Sequence, residues 1–145
     1  MGYQLIYNSS FKDIDENTIN IEIYKDSGGT LIASELLCSA DAVSINYESD
    51  DDVFKPIKCS DCQINVLTTK VLANLYTALG NQIYCTISKN GSLLWCGYSV
   101  PCLYSTDYNE EYNLLSLQFN DIRGSIQNVA WTKCRTKYVK PLVHR

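Results

Sequence analysis

Two cysteines separated by two residues, Cys59 and Cys62, form the pattern in this chain that comes nearest to a reactive motif. Such a pair can help to hold a structural zinc ion or can act as a redox-active dithiol. A zinc site would need further cysteines or histidines at similar spacing, but the other cysteines are scattered and the only histidine is His144. A redox pair opens a helix after a strand, whereas this pair leads into a predicted strand. Because Cys62 and Cys85 each alternate with Ile or Val, we expect the seven cysteines to be reduced and mostly buried.

Catalysis by a serine or cysteine nucleophile requires a histidine within hydrogen-bonding distance, and His144 lies at the end of a basic segment. The acidic residues at 50–52 and 110–111 could act as an acid and base pair or bind calcium weakly, but both groups lie in polar segments typical of loops. Phosphate-binding, dinucleotide-binding and zinc-protease motifs do not occur. We therefore predict that the chain is not an enzyme and uses no catalytic residue, metal or cofactor. A small hydrolase based on the acidic residues is the third-ranked hypothesis.

The chain is rich in tyrosine, with eleven of them beside two tryptophans. Four follow the predicted hairpin around Trp95, namely Tyr98, Tyr104, Tyr108 and Tyr112. A phenol ring combines a large contact area with a polar tip, so such a group suits a protein interface or a carbohydrate-binding platform. Tyrosine also simply suits half-buried strands, and this interpretation stays open. We take Tyr98, Tyr104 and Tyr108 as candidate interface residues.

The charge of the chain is distributed unevenly along its length. The net charge is −4, from twelve basic and sixteen acidic residues, but five of the bases fall in the last thirteen positions. These bases are Lys133, Arg135, Lys137, Lys140 and Arg145. The residues before this basic tail, which we call the acidic body, carry an excess of acids, and this disfavours nucleic acid as a partner. No apolar run or leader sequence indicates a membrane. We expect Lys133, Arg135 and Lys137 to contact the acidic body of a neighbouring copy or another protein, through an attraction that weakens with salt.

The elements that must position these residues are mainly strands, because short runs rich in Ile, Val, Tyr and Thr alternate between apolar and polar residues. We predict one β-rich domain over residues 1–132, followed by a basic tail over 133–145. Its fold class is all-β or β-rich α+β, as an antiparallel barrel or sandwich with one amphipathic helix at an end and a short C-terminal helical turn. The predicted strands cover residues 3–8, 18–25, 30–38, 42–47, 62–67, 82–89, 92–98 and 111–119.

Local signals define the connections between these elements. Asn90-Gly91 predicts a tight hairpin between its flanking strands, because both central residues of a type I′ turn need positive φ. Residues 26–29 predict a second hairpin, which pairs strand 18–25 with strand 30–38, and residues 9–17 are predicted to be a loop. Residues 69–79 carry apolar side chains at helical spacing and predict a helix of about three turns. Asn120-Asp121 is predicted to begin the short helical turn.

Several short motifs follow one another along the chain in a characteristic order. They are Phe54-Lys55-Pro56-Ile57-Lys58-Cys59-Ser60 before the strand Ile64-Asn65-Val66, Leu75-Tyr76, Asn90-Gly91-Ser92-Leu93-Leu94-Trp95-Cys96-Gly97-Tyr98, Val100-Pro101-Cys102-Leu103-Tyr104, and Asn120-Asp121-Ile122-Arg123-Gly124. Their order and spacing resemble those of the β-rich tail and baseplate proteins encoded by phages and prophages of gut bacteria, including crAss-like phages.

The resemblance implies a structural component of a virion tail, synthesised in the cytoplasm of the bacterial host. Proteins of this kind act by forming rings of identical copies and by contacting other tail proteins, and no catalytic residue is implied. In the motif itself, we expect Trp95 to anchor the hairpin, Gly97 to admit a close backbone and Asp121 to fix the exit from the last strand. A non-catalytic carbohydrate-binding β module is the alternative function.

Overall fold

A computed structural model describes residues 2–47, 59–69, 72–77, 80–100 and 112–125. The strands in this part of the chain are β1 (Gly2–Lys12), β2 (Thr18–Ser27), β3 (Ser34–Glu35), β4 (Leu37–Tyr47), β5 (Ser60–Thr68), β6 (Ile83–Lys89), β7 (Ser92–Ser99) and β8 (Asn113–Asp121). A single-turn 3-10 helix covers Ala73–Leu75, and a short α-helix, α1, covers Ile122–Ser125. Neither of these helices has the length and apolar character needed to cross a membrane.

All eight strands belong to one sheet, in the order β3-β1-β2-β6-β7-β8-β5-β4. Neighbouring strands are antiparallel throughout, except that β3 pairs in parallel with β1. The prediction of a mainly antiparallel all-β fold is therefore confirmed.

The sheet buries one face, because alternate residues of its central strands are apolar and point the same way. The most deeply buried side chains are Ile6, Ile21, Ile23, Cys62, Ile64, Val66, Ile83, Cys85, Ile87, Leu115 and Phe119. Cys62 and Cys85 are 1% and 0% exposed, so the prediction that cysteines fill the core is confirmed for these two. Cys102 and Cys134 lie outside the described residues.

The two outermost strands of the sheet are consecutive in the chain, since only Leu36 separates β3 from β4. The Leu36 N–H donates a hydrogen bond of 2.8 Å to the Asn8 carbonyl oxygen in β1. Beside it, the Cys38 thiol donates to Ser9 Oγ at 3.4 Å. The chain thus brings both edges of the sheet close together at this point.

The hairpin between β6 and β7 has the predicted turn. Asn90 and Gly91 both have positive φ, at 50° and 80°. Asn90 also connects this turn to the turn between β1 and β2, because its Oδ1 accepts a 2.9 Å hydrogen bond from the Thr18 N–H. Its Nδ2 donates to Asn17 Oδ1 at 2.8 Å, so two turns that are distant in sequence support each other.

Two predictions for the N-terminal third are wrong. Residues 9–12 are part of β1 rather than of a loop, because Ser9 and Phe11 pair with Ile21 and Ile19 and lie against the core. The predicted hairpin between strands 18–25 and 30–38 does not form, because β1 and β6 occupy the two edges of β2. The segment after the glycines instead supplies β3 and the start of β4, whose partners lie far away in sequence.

The predicted helix over residues 69–79 is also wrong in the part of that segment that the structure describes. Residues 72–77 contain only the 3-10 turn, and the chain is already extended at Tyr76, with ψ of 116°. Leu75 is buried and Leu72 packs against the core, whereas Tyr76 is 51% exposed. Two leucines three positions apart bury themselves in one tight turn, and so short a segment has little helical stability of its own. The predicted short turn after Asp121 is confirmed as α1.

Candidate interaction surfaces

Of the six predicted site residues, the structure describes only Tyr98. Tyr104, Tyr108, Lys133, Arg135 and Lys137 lie outside the described residues, so the structure neither brings them together nor separates them. Tyr98 belongs to a cluster with Tyr3, Tyr24 and Tyr84, three tyrosines that sequence reasoning did not select. The signal that could have found them is their position on the polar side of strands whose other side is apolar.

The tyrosine cluster arises from the register of four strands. Tyr24 in β2 pairs with Tyr84 in β6, and Tyr84 pairs with Tyr98 in β7, so the three side chains stand in one row on the outer face. Tyr3 joins the row because β1 has a bulge between Leu5 and Tyr7. The bulge exchanges the faces toward which odd-numbered and even-numbered side chains of β1 point. Before the bulge Tyr3 points outward, and after it Tyr7 points into the core.

The four rings pack against one another at an angle. The centroid distance is 5.4 Å for Tyr84 and Tyr98, 6.3 Å for Tyr24 and Tyr84, and 6.0 Å for Tyr3 and Tyr84. The planes of these pairs are tilted by 42° to 53°, so the rings do not form a flat platform. Tyr3 is the most accessible member, at 43% exposure.

The hydroxyl groups of the cluster are hydrogen-bonded at its margins. Tyr3 OH donates to the Asn81 carbonyl oxygen at 2.7 Å, and Tyr24 OH donates to Glu22 Oε2 at 2.8 Å. Burial, followed by a hydrogen bond with Tyr98, raises the pKa of Tyr3 to about 12. Burial, followed by a hydrogen bond with Cys96, raises the pKa of Tyr84 to about 12. These phenols therefore stay protonated and uncharged well above neutral pH.

A second surface feature is a row of three leucines on the same outer face, which we call the leucine row. Leu37 in β4 pairs with Leu67 in β5, and Leu67 pairs with Leu114 in β8. Leu37 and Leu114 are 60% and 59% exposed. The rest of this part of the outer face is polar, as its other cross-strand pairs show: Ser44 with Gln63, Gln63 with Gln118, Asn65 with Ser116, Asn46 with Asp61, and Asp61 with Asn120.

A third feature is a cleft of about 1000 Å³ between the last residues of β1 and residues 37–45 of β4. Its lining extends from Cys38 and Ser9, which contact each other, to Asp13 and Ile14 at the turn that joins β1 to β2. Its apolar lining consists of side chains of the core or packed against it, namely Phe11, Ile19, Val43, Ile45 and Ile87, together with the half-exposed Leu94. At the turn, Asp13 forms an ion pair with Lys89 at 3.2 Å.

Trp95 and Asp121 have structural positions that fit the sequence-based expectation. The Trp95 Nε1–H donates to Ser60 Oγ at 3.0 Å, and that hydroxyl donates to Asp121 Oδ2 at 3.2 Å. The Ser60 N–H donates to the same carboxylate oxygen at 3.1 Å. A β-carbon on Gly97 would collide with the Asn120 carbonyl oxygen and the Trp95 ring, so Gly97 does admit a close backbone. These contacts fasten β7 to β8 and β5.

The paired cysteines do not have the environment of a reactive motif. Cys62 is buried in β5, and burial raises the pKa of its thiol to about 12, so the thiol is protonated at neutral pH. Cys59 lies just before the strand and is half-buried. Among the described residues, no three His, Cys, Asp or Glu side chains gather as a metal site would require. In this part of the molecule, the arrangement offers packing and surface contacts.

No protein-family model, curated protein or solved structure matches the chain.

Proposed function

We propose that this protein is a non-catalytic assembly domain, which acts by self-association and by contacts with other proteins. In view of the sequence resemblance, its setting is the tail or baseplate of a bacteriophage virion, after synthesis in the cytoplasm of the bacterial host. The observation that carries the proposal is the leucine row. A sheet face that meets only water is expected to be polar, as the pairs around this row are, and not to place three leucines side by side.

The leucine row has the character of an interface centre. Leu37, Leu67 and Leu114 are contiguous across three strands, and polar side chains border them along each strand. An apolar centre inside a polar rim is the usual anatomy of a protein interface. A rigid sheet also holds such side chains in place, so little conformational entropy is lost when a partner covers them.

The proposal is tested by measuring the mass of the full chain in solution by light scattering over a range of concentrations. We expect wild-type protein to form oligomers, and Leu37→Ser combined with Leu114→Ser to raise the dissociation constant at least about tenfold, since two large apolar contacts are lost. Leu93→Ser is the matched control, because Leu93 is 62% exposed but lies on β7, away from the row. A wild-type monomer at all concentrations, or equal masses for both variants, would contradict the proposal.

Carbohydrate binding is a second candidate function, and the tyrosine cluster favours it. Tyr3 presents a partly exposed ring beside the polar groups of Asn81 and Asp26, a combination that suits the apolar face and hydroxyls of a sugar. Glycan-array binding by the monomer, lost in Tyr3→Ala but kept in Tyr112→Ala, would favour this function. Tyr112 is the matched control because it is 60% exposed and has no ring contact within the described cluster.

A further inference from the structure

The cleft between β1 and β4 has two unpaired strand edges as its walls. Residues 9–12 of β1 pair with β2, but no described strand pairs with their other edge. Residues 43–47 of β4 pair with β5, and their other edge likewise faces no described strand. Backbone N–H and C=O groups on such edges are a template for an additional strand.

Three side chains on these two edges are small, namely Ser9, Ser10 and Ser44. Residues 39, 40 and 42, in the irregular part of β4 between Cys38 and Val43, are small as well. Part of the lining is apolar, so a strand lying in the cleft would find backbone partners at its sides and apolar side chains to contact. The cavity of about 1000 Å³ is large enough for the side chains of a short peptide segment.

The charge of the cleft specifies which peptide fits. Its lining contains three acids and two bases: Asp13, Glu35, Asp41, Lys12 and Lys89. Lys89 is already engaged by Asp13, and the adjoining turn adds two further acids at positions 15 and 16. Glu35 and Asp41 are exposed at the rim. The cleft therefore favours a basic segment.

The chain itself contains such a segment. Residues 122–145 include no acid, and from 133 to 138 basic residues alternate with Cys134, Thr136 and Tyr138. Alternation of this kind gives a strand one basic side and one side suited to a half-buried position. Six residues span about 20 Å as a strand, so the segment is long enough to lie along the unpaired edge at residues 43–47 of β4.

The geometry points to strand addition between copies: residues 133–138 of a second copy enter the cleft and pair with its free edges. The side of Cys134, Thr136 and Tyr138 faces the apolar lining, and the basic side chains face the acidic rim. This inference rests on the proposed function, because it names a contact through which copies associate. The leucine row is a separate contact, so the two can fail independently.

Two native cysteines provide the test in the full chain. Cys38 lines the cleft, and Cys134 lies in the segment that would enter it. On mild oxidation with diamide, we expect a disulfide between Cys38 of one copy and Cys134 of another, seen as covalent dimers and higher species without reductant and assigned by peptide mass spectrometry. Cys38→Ser should remove this product. Cys96→Ser is the matched control, since Cys96 is half-buried on the outer face, and it should leave the product unchanged.

A charge change supplies a second measurement that does not depend on thiol chemistry. Glu35→Lys combined with Asp41→Lys should lower the yield of the Cys38–Cys134 product at least about threefold, and raising the salt concentration should lower it in the wild type. Asp61→Lys on the outer face is the control and should have no effect.

Each result separates the two ideas. Oligomers without the Cys38–Cys134 product, or with a product confined to single chains, would overturn strand addition between copies and leave the proposed assembly function standing. A wild-type monomer at all concentrations would overturn both.

Discussion

The sheet is held together differently on its two sides. Around β6, β7 and β8 the strands are joined by a tight hairpin, by the close approach at Gly97 and by the hydrogen bonds from Trp95 through Ser60 to Asp121. Around β1, β3 and β4 the closure consists of a two-residue parallel pairing and the contacts of Leu36 and Cys38. We call the first the tight side and the second the open side.

The difference shows how one fold can combine rigidity with an accessible edge. On the tight side, the Trp95 indole is buried and the backbone at Gly97 lies directly against Asn120. On the open side, the strands separate after their brief contact, and the cleft lies where the pairing ends. Variants on the two sides should therefore differ in how much they lower the free energy of unfolding and in which local property they change.

The largest effect should come from the tight side, with Gly97→Ala. The added methyl group would overlap the Asn120 backbone and the Trp95 ring, neither of which can move without disturbing β8 or the core. We expect the free energy of unfolding to fall by about 3 kcal/mol, measured by urea denaturation. Gly29→Ala is the control, because a β-carbon at Gly29 meets nothing within 4 Å. Equal stability of the two variants would mean that the tight side is not tightly packed.

On the open side, Leu36→Ala should have a somewhat smaller effect. Leu36 is 5% exposed and is the residue that joins β3 to β4, so its truncation leaves a cavity at the closure. We expect a loss of about 2 kcal/mol in the free energy of unfolding and faster hydrogen exchange at the Leu36 amide. Ile32→Ala, at a position that is 89% exposed, should change the stability little. Unchanged exchange at Leu36 would show that the closure does not depend on this side chain.

The sequence predicted the tight side well and the open side poorly, for a physical reason. The β6–β7 hairpin is encoded by neighbouring residues, since Asn90 and Gly91 accept positive φ and their flanking strands alternate. The pairing of β1 with β3 joins residues 27 positions apart, as Tyr7 does with Ser34, and no local turn signal specifies it. For Ser9 and Ser10 the sequence predicts a loop, because serines commonly bound strands, although pairing with β2 holds both residues in the sheet.

The candidate surfaces show the same limit. The sequence indicated that tyrosines near Trp95 matter, and Tyr98 does belong to a cluster. Its companions Tyr3, Tyr24 and Tyr84 come from three other strands, and only the register brings them together. The leucine row and the cleft likewise depend on which strands are neighbours, which periodicity alone does not tell.

A third prediction compares two glycines and tests whether the turn residues specify the β6–β7 hairpin. Gly91 has φ of 80°, which is unfavourable for a residue with a β-carbon, whereas Gly28 has no such requirement and nothing within 4 Å of an added β-carbon. Gly91→Ala should lower the free energy of unfolding by about 1 kcal/mol, and Gly28→Ala should leave it nearly unchanged. Urea denaturation of both variants provides the measurement. A larger loss of stability in Gly28→Ala than in Gly91→Ala would contradict the idea that the type I′ turn specifies the hairpin.

The smallest effect concerns the pH dependence of the turn between β1 and β2, which lies at one end of the cleft. Desolvation raises the pKa of Asp13, but hydrogen bonds from Asn17, Lys89 and Asp15 outweigh it and bring the pKa below its ordinary value of 3.8. A carboxyl group whose pKa is lowered in the folded state stabilises the fold above its unfolded pKa, and this contribution is lost as the pH falls through the folded value. Unfolding free energies between about pH 5 and pH 3 should therefore fall more steeply in the wild type than in Asp13→Asn.

Asn17→Ala should flatten the same dependence, because it removes a side-chain donor that reaches both Asp13 oxygens, at 3.0 and 3.2 Å. If both variants keep the wild-type slope, the carboxylate is not what holds the β1–β2 turn. In that case the turn would depend on Asn90, whose side chain bonds both Asn17 and Thr18, and this end of the cleft would be fixed from the tight side of the sheet.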